Sequence, residues 1–386
     1  MWKRKIPLAW LQLSREKARM AVAIAGIAFA DVLMFLQLGI REALFDGAVQ
    51  LHNSLEGEIV LVSSRYKALI SLDQFSQRRL YQALGFTGVQ SVSPIYLDSI
   101  PWKNPDNQQT WRIFAIGFNP EEKVVNLPGV KENLNYLTEP DTVLFDRGAR
   151  KEFGTIVSQF ENNKKITTEL NNRRINVAGL FRLGTSFGVN GNIITSDVNF
   201  LRLLGKRREA GLIDFGLIKL ESGADLNWVI ANLKANLPKD VQVLSKQEFM
   251  AKEKSFWNTS TPVGFTFTLG AIIGFVVGAV IVYQILYSDV SDHLPEYATL
   301  KAIGFKNRYL LVVVFQEALI LAAIGFIPGF AISQGLYLMT RQATLLPIIM
   351  TVDRAIFIFI LTTLMCSISA LIAMQKLQSA DPADVF

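Results

Sequence analysis

Cysteine and histidine are nearly absent from this chain of 386 residues, which has one Cys, Cys366, and two His, His52 and His293. A single thiol excludes an intramolecular disulfide in any compartment. No His-Glu-x-x-His or Cys-x-x-Cys spacing occurs, so no histidine- or thiolate-based metal centre is expected. Charge is also scarce, at 19% of residues, while 50% are hydrophobic. That is too apolar for a soluble protein and too polar for a pure membrane bundle, and a mixture of the two explains it. The net charge of +6 does not imply a nucleic-acid partner. Lys3, Arg4, Lys5, Arg15, Lys17 and Arg19 stand against Glu16 in the first 19 residues, a bias that membrane topology explains.

What the chain has in quantity is long apolar runs. They cover Met20 to Ile40, Val263 to Tyr287, Tyr309 to Ser333 and Ala355 to Met374. Each is about 20 residues or longer, enough for a helix to cross a bilayer core. The first run is longer than a signal-peptide core and is followed by Arg41-Glu42, not by a cleavage site, so it reads as a retained span. The expected fold is an α-helical membrane protein with four transmembrane helices in a 1+3 order, and a large α/β periplasmic domain inserted between helices 1 and 2. The boundaries are a cytoplasmic amphipathic segment at 1–19, with Ile6, Trp10 and Leu13 on one face, and a first span at 20–41. The periplasmic domain is 42–262, with a β-rich lobe at about 120–214. The remaining spans are 263–287, 309–339 and 355–375, separated by a cytoplasmic loop at 288–308 and a short periplasmic loop at 340–354, with a cytoplasmic tail at 376–386. The N-terminal cations place both termini in the cytoplasm, in a plasma (inner) membrane.

Within the large domain, β-branched runs predict strands over Glu58–Val62, Val89–Leu97, Thr110–Gly117, Leu217–Leu220 and Val241–Leu244. Apolar spacing predicts helices over Leu72–Leu84 and Asp225–Asn236, the latter capped by Asp225 and ended by Pro238. Lys246–Asn258 is expected to be a helical stalk continuous with span two, and Asp46–Leu55 its counterpart above span one. The two histidines are expected on opposite sides of the membrane as ordinary surface residues. Gly179-Leu-Phe-Arg-Leu-Gly184-Thr185-Ser186 imitates a phosphate-binding loop, but Thr185 stands where the lysine belongs, so nucleotide binding is rejected. No cofactor is expected on this chain, and no catalytic activity.

Two carboxylates, Asp31 and Glu317, fall inside spans. They read as a proton relay or as groups hydrogen-bonded where helices meet, and the shortage of ionisable partners favours the second. Gly270, Gly274 and Gly278 form a small-residue stripe suited to close helix contact, within the chain or between copies, with Gly26/Ala30 and Gly325/Gly329 offering similar pairs. The cytoplasmic loop predicts a short helix: Pro295 in its first turn, Glu296 and Lys301 matching the dipole, Gly304 closing it. Leu294, Tyr297, Leu300, Ala302 and Ile303 give it apolar surface. Such a helix packs on its own bundle or enters a cleft on a cytoplasmic partner.

Glu296 to Gly304, Phe315-Gln-Glu317-Ala318 and the Gly325/Gly329 pair resemble the permease family that includes MacB, FtsX and the LolC/LolE proteins. His293 replaces that family's usual arginine, and the ending Asp381-Pro-Ala-Asp-Val-Phe386 is similar to its C-terminus. Ile6-Pro-Leu-Ala-Trp-Leu-Gln-Leu-Ser-Arg-Glu-Lys17, Gly26 to Gly39, Phe45-Asp46-Gly-Ala and Leu51-His-Asn-Ser-Leu resemble the DevC-like permeases of cyanobacterial DevBCA-type exporters. The resemblance implies a homodimeric permease subunit that hydrolyses nothing itself. Its partners would be a cytoplasmic ABC ATPase (DevA-like) carrying ATP and Mg, a periplasmic membrane-fusion adaptor (DevB-like) and a TolC-like outer-membrane protein. The cargo would be a lipid, a glycolipid or another hydrophobic molecule. The alternative is FtsX-like signalling to a periplasmic enzyme.

Overall fold

The computed structural model describes residues 8–71, 73–186 and 188–379. Ile6, Leu72 as the start of a helix, and the Asp381–Phe386 ending therefore lie outside the described residues. The chain divides into a helical unit, formed by its beginning and its last third, and an α/β unit over 44–261.

Helix α1 (Leu8–Arg15) precedes α2 (Lys17–Ala48), whose apolar stretch is long enough to span a membrane. A bend at Val49 leads into α3 (Gln50–Ser54). The α/β unit then contributes β1 (Ile59–Ser63), β2 (Phe75–Ser76), α4 (Gln77–Ala83), β3 (Val89–Lys103), β4 (Thr110–Phe118) and β5 (Thr142–Asp146). Next come α5 (Ile156–Glu161), β6 (Ile166–Leu170), β7 (Arg173–Phe181), β8 (Asn192–Ser196) and α6 (Asp197–Leu204). It ends with β9 (Leu212–Ile213), β10 (Phe215–Leu220), α7 (Leu226–Asn236), β11 (Val241–Ser245) and α8 (Lys246–Ser255).

Nine strands form one sheet in the order β11-β1-β10-β3-β4-β8-β5-β7-β6. Strands from both ends of the unit build one side of it. The N-terminal half of β3 pairs with β10, and its C-terminal half with β4. β6 closes back on β3 at Trp102↔Leu170 and Lys103↔Glu169, so β3, β4, β8, β5, β7 and β6 make a ring. β3 passes through Pro94, as predicted, and on through Pro101 to Lys103, beyond the predicted end at Leu97. Pro101 has no N–H to donate and takes part through its carbonyl, which accepts from the Asn171 N–H at 2.8 Å. Helix α4 begins at Gln77, not Leu72, because Phe75 and Ser76 are drawn into pairing with β9 and Ser76 then caps the helix. Asp225 caps α7 by accepting from the backbone N–H of Asn227 and Trp228.

α8 starts with a capping box between Ser245 and Glu248. It does not continue into the second span. It loosens into a π turn over Phe256–Ser260, Thr261 is extended (φ −125°, ψ 157°), and α9 (Pro262–Asp292) starts afresh. The cause is local: a residue before proline is pushed out of the helical region, and proline itself donates no hydrogen bond. The expected continuous stalk is thus a jointed one. α10 (Leu294–Ala302), α11 (Asn307–Thr344) and α12 (Val352–Ser379) complete the helical unit. The helices α2, α9, α11 and α12 supply four candidate spans. The protein is a multi-pass membrane protein with a large α/β unit between its first and second spans.

Candidate functional site

The loop helix α10 follows α9 after a one-residue turn at His293 and is tied to it by Tyr297 N–H donating to His293 O at 3.0 Å. Gly304 ends it at φ +106°, and Phe305 N–H reaches back to Leu300 O at 3.0 Å. This is the left-handed closure that glycine permits. Tyr297 and Ala298 are buried, and Tyr297 belongs to a cluster that includes Leu13, Val290, Leu310 and Val314, with Leu300 packed at its margin. Tyr297 therefore anchors the helix to its own bundle. Leu294 is half-buried, while Pro295, Glu296, Thr299, Ile303 and Gly304 face outward, Ile303 with 71% of its surface free. The spacing of Glu296, Thr299 and Ile303 puts them on one side. The side chains of Lys301 and Ala302 lie outside the described residues.

Both histidines are buried, contrary to the surface placement expected of them. His52 is buried by partners distant in sequence, whereas His293 leans on Asp289, one helical turn earlier. His293 Nδ1 lies 2.9 Å from Asp289 O and 3.6 Å from Asp289 Oδ1. Arg19 reaches Asp289 at 3.3 Å, Asp292 at 2.5 Å and Glu16 at 2.7 Å, so α2 and the end of α9 share one ionic knot. Glu317 is fully buried against the Asp289 carboxyl group, and its oxygens have no other hydrogen-bond partner among the described residues. Asp31 differs: Thr362 Oγ1 on α12 donates to its Oδ1 at 2.5 Å. The structural reading thus fits Asp31 closely and Glu317 less so. Glu317→Leu should raise the thermal stability of the detergent-solubilised chain by about 1–3 kcal/mol, because a buried polar group facing another carboxyl group is removed. A lower melting temperature would contradict this.

The glycine stripe of the second span meets the first span of the same chain. A Cβ on Gly270 would lie 2.5 Å from Gln37, one on Gly274 3.2 Å from Leu33, and one on Gly278 2.6 Å from Ala30 Cβ and 2.3 Å from Met365 Sδ. Gly325 and Gly329 admit Ile27 and Ala28 of α2 at similar range. α2 is therefore gripped along its length by α9 and α11 through missing side chains. At the other end of the bundle, Tyr337 donates to Phe35 O, and Arg354 joins Tyr337 at 3.3 Å and Glu42 Oε2 at 3.2 Å.

In the α/β unit the glycine loop after β7 is already filled. Asp146, fully buried, accepts from the N–H groups of Gly148 (2.8 Å), Leu183 (3.1 Å) and Gly184 (2.9 Å) and from Asn192 Nδ2 (2.7 Å). Its carboxylate takes the place a phosphate would need. Residues 184–188 spell Gly-x-Ser-x-Gly, which corrects the expectation that the chain has no such pattern. The chain there runs from β7 to β8, without the strand–turn–helix that exposes a nucleophilic serine, so the pattern has no catalytic context.

His52 packs on Phe249 with ring centroids 4.4 Å apart, its Nε2 3.7 Å from Glu253 Oε2. Glu253 accepts from Tyr66 Oη, Leu69 N–H and Trp257 Nε1, each at 2.9 Å. Burial lowers the His52 pKa to about 3, helped by the Lys246 ammonium, and burial raises Glu253 against the pull of its three donors. Between its ordinary 6.5 and about 3, His52 stays neutral when folded but takes a proton when unfolded. Stability from this group is therefore lost as pH falls through that window, by up to about 1.4 kcal/mol per pH unit. Glu253 acts in the opposite sense, since a raised carboxylate favours the folded state at low pH. The stability difference between the native chain and His52→Leu isolates the histidine. It should shift in favour of the variant as the pH falls below 6.5. A difference that does not change with pH would contradict the assignment.

Residues 267–382 match the family model for the FtsX-like permease C-terminal region. This part of the chain is similar to the C-terminal region of FtsX-like permeases. The matched stretch takes in most of α9, the whole loop helix, α11 and α12. It therefore holds Glu317, the ionic knot at Asp289 and the outward strip of Glu296, Thr299 and Ile303. Similar solved structures include the periplasmic region of MacB from Actinobacillus actinomycetemcomitans, at 12% identity over 55% of this chain and 97% of that one, TM-score 0.35. The extracellular domain of the ABC-type transporter YknZ from Gram-positive bacteria matches at 13% identity over 49% of this chain and 98% of that one, TM-score 0.33.

Proposed function

We propose that this chain is the permease subunit of an ATP-driven exporter. A partner ABC ATPase (DevA-like) docks in the cytoplasm on the loop helix Leu294–Ala302, and its nucleotide cycle moves that helix. The α/β unit, in the periplasm, receives the motion and passes a hydrophobic cargo such as a lipid or glycolipid to a membrane-fusion adaptor and a TolC-like duct. Two copies of the permease work together, with both termini in the cytoplasm. The observation that carries this reading is the loop helix itself: one side is fixed in the bundle by Tyr297, and the other presents Glu296, Thr299 and Ile303 as exposed residues. A helix held on one side and bare on the other can be pushed by a partner and transmit the push.

The test is co-purification of the detergent-solubilised chain with its ATPase. Ile303→Asp should abolish association and leave the permease folded, because exposed substitutions cost at most about 0.5 kcal/mol of stability. Unchanged association would place the docking surface elsewhere. Recovery of a periplasmic hydrolase in place of an adaptor would favour signalling over export.

A further inference from the structure

We infer that one face of α8 clamps the two segments leading from the first and second spans into the α/β unit, so that they move as one body, and that Glu253 is the positioning residue that holds this face in place. The inference rests on the permease reading above. Those segments are α3, which continues α2 after the bend at Val49, and α8, which precedes the π turn. One face of α8 supplies every tie. Lys246 Nζ donates to Asn53 O at 3.0 Å and Leu55 O at 2.6 Å. The Phe249 ring packs at a tilt against His52, Glu253 faces the same imidazole, and Lys254 Nζ meets Asp46 Oδ1 at 2.8 Å. Positions 246, 249 and 253 follow the three- and four-residue spacing of a helix face, and 254 lies at its edge, eight residues after 246.

Glu253 fixes α8 itself, by binding it to the Tyr66–Leu69 segment beside the His52 ring. Its carboxylate is buried, and its departure orphans Tyr66 Oη, the Leu69 N–H and Trp257 Nε1 together. Immediately beyond it the backbone is made to bend. The π turn and the extended Thr261 interrupt the hydrogen-bond ladder, and the hydroxyls of Thr259 and Thr261 donate to the carbonyls of Ser255 and Trp257. Closed clamp and open joint are adjacent, so strain arriving along α9 is absorbed at Phe256–Thr261 and not by parting α3 from α8.

The test uses the full chain in proteoliposomes, with Cys366→Ser removing the native thiol and Asp46→Cys with Lys254→Cys placing two exposed thiols across the clamp. A short bifunctional maleimide should join them in high yield with no nucleotide, with ATP and in a trapped ATPase state alike. A yield that falls when nucleotide is added overturns the one-body claim. Low yield in every state overturns the clamp itself. Glu253→Leu should slow the cross-linking about tenfold, as the orphaned donors favour opening. The same variant should keep ATP hydrolysis while losing export, whereas a merely structural defect lowers both together. Should Glu253→Leu fail to insert, Lys246→Met should still slow cross-linking, by about threefold for the loss of one ammonium's hydrogen bonds; no change would count against the clamp. The cross-linking arm needs no ATPase, so a chain that never binds an ATPase would sink the permease reading while the clamp is still decided.

Discussion

Tyr297→Asp should prevent the helical unit from assembling, whereas Ile303→Asp, six residues further along the same loop, should not. Tyr297 is almost wholly buried, among Val290, Leu310 and Val314. A carboxylate there has no cation partner in that cluster, and burying one uncompensated costs several kcal/mol at least. Size-exclusion chromatography and protease resistance in detergent should show the Tyr297 variant aggregated or degraded. Tyr297→Phe keeps the ring and should behave as the native chain does. A folded, monodisperse Tyr297→Asp protein would mean that the loop helix is not anchored through this residue. The contrast has a practical consequence: loss of coupling in a Tyr297 variant would not identify a docking residue, while loss in Ile303→Asp would.

Gly278→Leu should be nearly as damaging. A Cβ at that position already meets Ala30 Cβ at 2.6 Å, and an alanine side chain cannot turn away as Met365 can. Adding a full leucine must drive α9 from α2, and overpacking of this kind costs about 1–3 kcal/mol or more. Gly335→Leu is the matched control, because a Cβ there meets nothing within 4 Å. Thermal unfolding of both variants in the same detergent should show a large drop for the first and little change for the second. Equal stability would remove the close contact of α2 with α9 from consideration.

Much of this architecture was legible in the sequence because it depends on local rules. Length and apolarity mark the spans. Pro295 and Gly304 mark the two ends of the loop helix, and Asp225 and Pro238 those of α7. The Thr261-Pro262 break was equally readable, since a residue before proline seldom stays helical, but apolar continuity drew attention away from it. Other features were decided by residues far apart. β3 runs through two prolines because its neighbours in the sheet hold it, and its closure on β6 depends on a turn some 70 residues later. The burial of His52 is set by Phe249 and Glu253, which no local spacing could select, whereas His293 and Asp289 stand one helical turn apart and were readable as a pair. The glycine loop looked empty in sequence and is occupied by Asp146, a residue nearly 40 positions upstream. The loop helix was found in the right place, while the division of its residues into an anchored side and a free side needed the packed bundle.

The most direct test asks whether the loop helix and the α/β unit face opposite compartments. In a Cys366→Ser background, single cysteines at Lys239 and at Glu296, both exposed, would be challenged in intact cells with a membrane-impermeant maleimide. Lys239→Cys should label from outside the plasma membrane, and Glu296→Cys only after the membrane is permeabilised. Labelling of both under the same condition would leave no membrane for force to cross, and would contradict the proposed coupling outright.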